Sequence, residues 1–198
     1  MPLAFADIAF TPSVRAAQER HGSAATYAKF LAPDRDGGHE LTAAEATFLT
    51  ARDGFFQATV SETGWPYVQF RGGRPGFLKV IDARTIAYAD YRGNRQYLSV
   101  GNLTSNDRVS IIAVDYPNQR RLKLWGHATL TEDAEIISAL TEESDAVVER
   151  GVVIRIAAFD WNCPRHIPQR RTDAEHDAEV ARLHNRIAEL EHQNFPSD

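Results

Sequence analysis

The chain is 198 residues long and carries a formal net charge of −5, with 43% hydrophobic and 25% charged residues. That describes one domain, or one domain with terminal appendages, long enough to bury a sizeable core. No apolar run approaches the roughly 20 residues of a membrane span, the acidic balance argues against a general nucleic-acid binder, and the single cysteine, Cys163, excludes an internal disulfide framework and suits a reducing cytoplasm.

The opening MPLAFADIAF has no basic n-region and contains Asp7, so no cleaved secretion signal is expected. Residues 1–40 read as a helical extension. Thr11 or Ser13 is placed to cap a helix over Val14–Arg20 that ends near Gly22, and a shorter helical piece follows over Ala24–Leu31. Pro33–His39 has turn chemistry, and Thr42 with Glu45 forms a capping-box pattern ahead of Ala46–Ala51. From Phe55 the apolar period shortens to two. Phe55–Glu62 and Trp65–Phe70 make a hairpin around Thr63-Gly64, with Pro66 suggesting an edge or a strand start. Gly76–Ile81 and Thr85–Tyr91 read as the third and fourth strands. Arg92–Asp107 is too polar for a core strand and reads as a loop with a short helix. Arg108–Tyr116, Arg121–Leu130 and Gly151–Asn162 supply the fifth to seventh strands, with a helix over Glu132–Leu140 before the last. Six or seven short antiparallel strands at this spacing argue for a mainly β protein, a closed barrel rather than a parallel sheet, over residues 41–167. Residues 172–194 form a long C-terminal helix with its own capping box, Thr172 with Glu175. Val180, Leu183, Ile187 and Leu190 make a narrow apolar seam along it, which needs a partner, either this chain's barrel or a second subunit.

One stretch stands out chemically. Within Arg71–Arg95, six cations (Arg71, Arg74, Lys79, Arg84, Arg92 and Arg95) face only Asp82 and Asp90. They alternate with Gly72, Gly73, Gly76 and Gly93, and aromatic Phe77, Tyr88, Tyr91 and Tyr97 stand near them. Forked guanidiniums, open backbone and flat rings suit a ligand with an anionic end and a planar end. A solvated loop of surface arginines fits the composition as well.

Four segments together, Arg74–Asp82, Arg92–Tyr97, Arg108–Ala128 and Asp160–Ile167, resemble the flavin-binding split-barrel family that includes pyridoxamine 5′-phosphate oxidase. The resemblance implies a six- to seven-stranded split barrel that binds FMN at a homodimer interface and acts as an oxidoreductase on a small molecule. Arg74 and Lys79 stand at the spacing of the family's flavin-binding strand, with Gly76, Phe77 and Leu78 between them. Asn94, Arg95 and Gln96 look like its phosphate-binding turn, and Asp90 just before the turn joins that set. Arg121 occupies the place of the polar side chain that approaches the flavin ring. Trp161 takes the place of the aromatic that covers the cofactor from the partner subunit. The oxidase proper carries a C-terminal Arg-x-His pattern for its substrate. Here Arg165 and His166 are adjacent, so the resemblance implies a substrate other than pyridoxamine 5′-phosphate. A flavin carrier or sensor without turnover, and a haem-handling relative on the same barrel, are the other readings.

The remaining candidates are weaker. His176, His184 and His192 recur every eight residues on the last helix, as a solvated face does, and no metal-ligand spacing is present. Cys163 has no second cysteine to work with. No Gly-Lys-Ser/Thr phosphate loop and no dinucleotide fingerprint occur, so NAD(P)H is expected only over a bound flavin.

Overall fold

A computed structural model describes residues 3–34, 36–142, 146–161 and 164–194, the last three of these without their side chains. Cys163 and Asn162 lie outside the described residues. The chain divides into two compact units, one of residues 1–114 and 121–163, the other of residues 115–120 and 164–198.

The first unit begins with three short helices, α1 (Ala4–Ala9), α2 (Pro12–Arg20) and α3 (Ala24–Ala28), and a 3-10 turn over Lys29–Leu31. Thr11 is the residue that caps α2, its hydroxyl accepting from the Val14 amide. Helix α4 (Ala43–Thr50) carries the expected capping box, with Thr42 and Glu45 bonding reciprocally. Seven strands follow: β1 (Gly54–Val60), β2 (Pro66–Gly72), β3 (Lys79–Asp82), β4 (Thr85–Tyr91), β5 (Arg108–Asp115), β6 (Arg120–Thr131) and β7 (Val148–Trp161). Helix α5 (Leu98–Ser105) joins β4 to β5, and α6 (Ala134–Leu140) joins β6 to β7. The strands form one sheet in the order β2-β1-β5-β6-β7-β4-β3. The β1–β2, β1–β5, β3–β4, β4–β7 and β6–β7 ladders are all antiparallel.

This is a mainly β split barrel. The closed barrel expected from strand count is not reached by backbone pairing, because β2 and β3 are the two free edges of the sheet. Side chains span the opening instead. The Tyr88 hydroxyl on β4 donates to Gln57 Oε1 on β1 at 2.8 Å, and the Arg71 guanidinium on β2 reaches Asp90 on β4 at 2.6 Å. Tyr88 is fully buried, and burial, with the Asp90 charge adding to it, pushes its hydroxyl pKa up to about 12. Residues of alternate parity along each strand line the interior: Phe55, Ile111, Leu122, Leu124, Ile154 and Ile86 are all at 1% exposure or less. Each such side chain contributes about 1.5–3 kcal/mol through burial, so this row outweighs any surface contact.

Several boundaries differ from the sequence pattern by two or three residues, and three of them have a clear local reason. The third strand starts at Lys79 rather than Gly76. Gly76 sits at φ +97 and the Phe77 amide closes a turn on the Arg74 carbonyl, so residues 73–78 cannot pair. Strand β7 starts at Val148 rather than Gly151, because Val148 and Arg150 already face Tyr91 and Asp90 on β4. Strand β2 extends two residues past Phe70 to Gly72, which pairs with Gly54.

The second unit holds the turn 115–120 and α7 (Asp173–Asn194). Asn118 bonds the Asp115 carboxylate twice through its side-chain amide, and Gln119 Nε2 donates to the Ile167 carbonyl at 2.6 Å. Thr172 and Glu175 make the expected capping box. Leu183, Ile187 and Leu190 of the apolar seam are 40–52% exposed. No described helix is long and apolar enough to cross a membrane.

Candidate functional site

The opening between β2 and β4 holds a cavity of about 260 Å³. Its wall on β2 comes from Tyr67, Gln69 and Arg71, which share one face by the strand's period of two. Asp90 and Tyr91 close it at the end of β4, and Glu149 and Arg150 at the start of β7. Residues 93–97 and the first turn of α5 form the mouth.

Asp90 is 6% exposed and organises the charges. Its two oxygens accept from Arg71 Nη1 at 2.6 Å and Arg150 Nη1 at 3.0 Å. Both guanidinium side chains are only 14% exposed. Arg150 and Asp90 are also direct ladder partners across β7 and β4. Arg150 Nη2 extends the network to Glu149 at 3.2 Å. Glu149 in turn accepts from Arg92 at 3.0 Å and from the Tyr97 hydroxyl at 3.1 Å. The Arg92 bond is the chief cause that holds the Glu149 carboxyl below its ordinary range. Arg95 Nε donates to the Tyr97 hydroxyl at 3.3 Å, and that bond raises the Arg95 pKa further.

The mouth is a strained turn. Arg95 (φ +62) and Tyr97 (φ +53) are both left-handed although neither is glycine, a conformation that surrounding structure must hold in place. The Asn94 side chain helps by accepting from the Gln96 amide at 3.1 Å. Tyr97 is also the N-cap of α5 and gives no side-chain cap bond. The positive end of the helix, at Leu98–Val100, therefore faces the cavity. Ser99 is held there by a 3.0 Å bond to Gln69 Oε1.

Three guanidiniums (Arg71, Arg95 and Arg150) thus line the cavity against two carboxylates, with a helix N-terminus beside them. Such a surface binds an anion with several acceptor oxygens. Within it, Arg71 Nε is buried and meets no described acceptor in hydrogen-bonding geometry. Unmet donors of that kind are costly unless a ligand satisfies them. The site therefore fits a phosphate.

Of the residues that the family resemblance assigns to the cofactor, the structure brings Asp90, Asn94, Arg95 and Gln96 together here, joined by Arg71, Tyr91, Gly93 and Tyr97 of the cationic stretch. Arg74, Gly76, Phe77, Leu78, Lys79, Arg121 and Trp161 do not line this cavity. Arg74 is exposed in the turn before β3. The Gly76 amide is taken by the Thr50 carbonyl at 2.7 Å, and the Phe77 amide by Arg74. Phe77 and Leu78 are core residues, Phe77 stacked on Phe55. Lys79 Nζ lies 4.0 Å from Glu142. Arg121 has a buried Nε with no described partner. Trp161 Nε1 donates to Glu45 Oε1 at 2.7 Å, and its ring meets Phe48 edge-on. Arg95 pairs with neither Asp90 nor Asp107 but with Tyr97.

Arg150, Glu149, Gln69 and Ser99 carry no site signal in the sequence reading. The hint in the sequence is the charged pair Glu149-Arg150 at the edge of one apolar run and Asp90 at the end of another. Among the described residues no group of three or more His, Cys, Asp or Glu side chains is placed to hold a metal ion.

A sequence model of the family described as pyridoxamine 5′-phosphate oxidase matches residues 41–162. No curated protein matches the chain. Among solved structures, HupZ of Group A Streptococcus is 15% identical with a TM-score of 0.51, over 66% of this chain and 100% of its own. A point variant of the same protein is 16% identical with a TM-score of 0.52, over 62% and 100%. An FMN-binding protein from Syntrophomonas wolfei is 14% identical with a TM-score of 0.48, over 61% and 85%. The HupZ likeness shows a shared fold.

Proposed function

Because this chain belongs to the pyridoxamine 5′-phosphate oxidase family, we propose that it binds FMN and works as an FMN-dependent oxidoreductase on a small molecule other than pyridoxamine 5′-phosphate. The observation that carries the reading is the cavity lined by three guanidiniums, Arg71, Arg95 and Arg150, beside the start of α5. Bound FMN supplies the redox chemistry. The protein's own groups fix its phosphate. Arg71 and Arg150 are preoriented by the shared Asp90, so little rotamer freedom remains to be lost on binding. Arg95 and the amides at the start of α5 add donors from the opposite side.

The same cavity supports a homodimer. At about 260 Å³ it is smaller than the roughly 300–1,000 Å³ of ligand pockets that enclose a cofactor-sized molecule. It takes the phosphate end and leaves the ring to be covered by another surface. The outer side of the strand that lines it is apolar: Val68 and Phe70 are each 58% exposed, beside Phe56 at 41% and Ile112 at 39%. Phe56 stands opposite both Phe70 and Ile112 in the ladders, so these side chains form one patch, and a contiguous exposed apolar patch marks an interaction surface. A second copy of the chain on this face would cover it.

Purified protein tests the function. A flavin absorbance band that bleaches under NADH, NADPH or an organic donor and returns in air supports an oxidoreductase. A stable flavin band that no donor reduces indicates a carrier or sensor. A Soret band in place of flavin absorbance indicates a haem-handling protein and contradicts the proposal.

A further inference from the structure

The segment that leads into α7 is fastened to the 115–120 turn of its own unit. Gln169 Nε2 donates to the Pro117 carbonyl at 3.2 Å, and the Arg170 guanidinium lies over the Tyr116 ring at 4.9 Å. The helix then turns a polar side toward the same residues: Glu175, Ala178, Glu179 and Arg182 line one depression with Pro117. The apolar seam points elsewhere. At 100° per residue, Val180, Leu183, Ile187 and Leu190 span about 80° of the helix, centred about 110° away from that polar side. Leu183, Ile187 and Leu190 are 40–52% exposed, so the turn that anchors the helix leaves the seam uncovered.

The identity of the seam residues selects what covers it. Val180 and Ile187 stand seven residues apart at one seam position, and Leu183 and Leu190 at the other. β-Branched residues at the first position with leucine at the second favour two parallel strands. The flanking charges agree. In a parallel pair, the residue before each β-branched position faces the residue five places further along the other strand. Arg186 then faces Glu191 of the partner subunit, twice by symmetry, and Glu179 faces His184 of the partner subunit. An antiparallel pair on the same four layers would instead set Arg186 beside Arg186 of the partner subunit. Within its own helix Arg186 reaches Glu189 at 2.9 Å, an exposed pair that is easily shared.

We propose that α7 pairs with α7 of a second copy as a parallel two-stranded coiled coil. The seam is about two heptads long, too short to join free chains by itself. The pairing therefore rests on the homodimer proposed above, which holds the two helices at a raised effective concentration.

Spin labels on the full-length protein test it. Ala174→Cys and Ala188→Cys, each made with Cys163→Ser, carry the label on the side of α7 away from the seam. Both distances between copies should be those of helices packed side by side, with axes about 8–10 Å apart. An antiparallel register on the same seam would displace the two Ala174 labels by more than about 30 Å along the axis. Ile187→Lys should remove both short distances and leave FMN binding and sedimentation as a dimer unchanged. Arg186→Glu should lower the ratio of paired to separate helices about threefold or more, and adding Glu191→Arg should restore it. Thermal melts confirm that each variant is folded, and the charge exchange decides the matter if Ile187→Lys is not. Dimers in sedimentation without the short Ala174 distance, or with the antiparallel displacement, overturn the pairing alone. Short distances that persist in folded Ile187→Lys also overturn it. Monomers overturn it together with the homodimer.

Discussion

Arg71→Met separates the two tasks that the structure gives this side chain. Methionine keeps an unbranched stem along β2 and removes every guanidinium donor. On the protein side, the bond to Asp90 at 2.6 Å is lost, but Asp90 keeps Arg150 at 3.0 Å. The carboxylate is therefore not stranded, and the cost stays near 1–2 kcal/mol rather than the roughly 3–5 kcal/mol of breaking a buried pair outright. On the ligand side, the guanidinium can make one or two charge-assisted bonds to a phosphate, together worth about 2–4 kcal/mol. At 14% side-chain exposure, solvent screens these little. The variant should bind FMN about 30- to 1,000-fold more weakly than wild type. Riboflavin, which has no phosphate, should bind nearly unchanged. The melting temperature should fall by roughly 2–8 °C. Flavin-fluorescence titration of the apo proteins with both ligands, alongside thermal melts, measures all three. An FMN affinity unchanged within about threefold refutes the assignment of Arg71 to the phosphate. Equal losses for FMN and riboflavin assign it to the fold alone.

Three further outcomes follow from the same structure. Arg95→Ala removes an exposed guanidinium whose protein contact is Tyr97, so FMN affinity should drop about tenfold with little change in melting temperature; a large stability loss with intact FMN binding would contradict this. Glu45 is tied by Thr42 and Trp161, and although burial, the largest single influence, raises its pKa, those hydrogen bonds outweigh it and hold the carboxyl below its ordinary value. Its stabilisation is thus present above that value and lost as pH falls through the lower folded-state value, so Glu45→Gln should cost about 1–2 kcal/mol at neutral pH and progressively less in acid, as melts across pH would show. Phe70→Glu places a charge in the exposed apolar patch and should yield monomers in sedimentation experiments while leaving the monomer folded; dimers of unchanged stability would remove that face from the proposed interface.

The fold was more legible than the site, for a physical reason. Strand identity rests on local alternation, and Phe55, Gln57 and Thr59 or Leu122 and Leu124 display it in consecutive residues. The helix starts at Thr42 and Thr172 were equally readable, since a capping box is contained in four residues. The site is not local. Arg71, Asp90 and Arg150 come from β2, β4 and β7 and meet because the sheet curls until its first strand approaches its sixth. The turn Asn94–Gln96 could be read from its own residues. Arg150 required knowledge that β7 starts early enough to place it opposite Asp90. Arg74 shows the reverse: its spacing to Lys79 suggests a strand, but the Gly76 turn lifts residues 73–78 out of the ladder.

The central claim is that the cavity between β2 and β4 holds the phosphate of FMN, and its most direct measurement is the ratio of FMN to riboflavin affinity in the apo wild-type protein. Two charge-assisted bonds or more, at about 1.5–3 kcal/mol each, predict FMN tighter by about 100-fold or more, with the ratio shrinking as salt is raised. Affinities for FMN and riboflavin that agree within about threefold would contradict the claim.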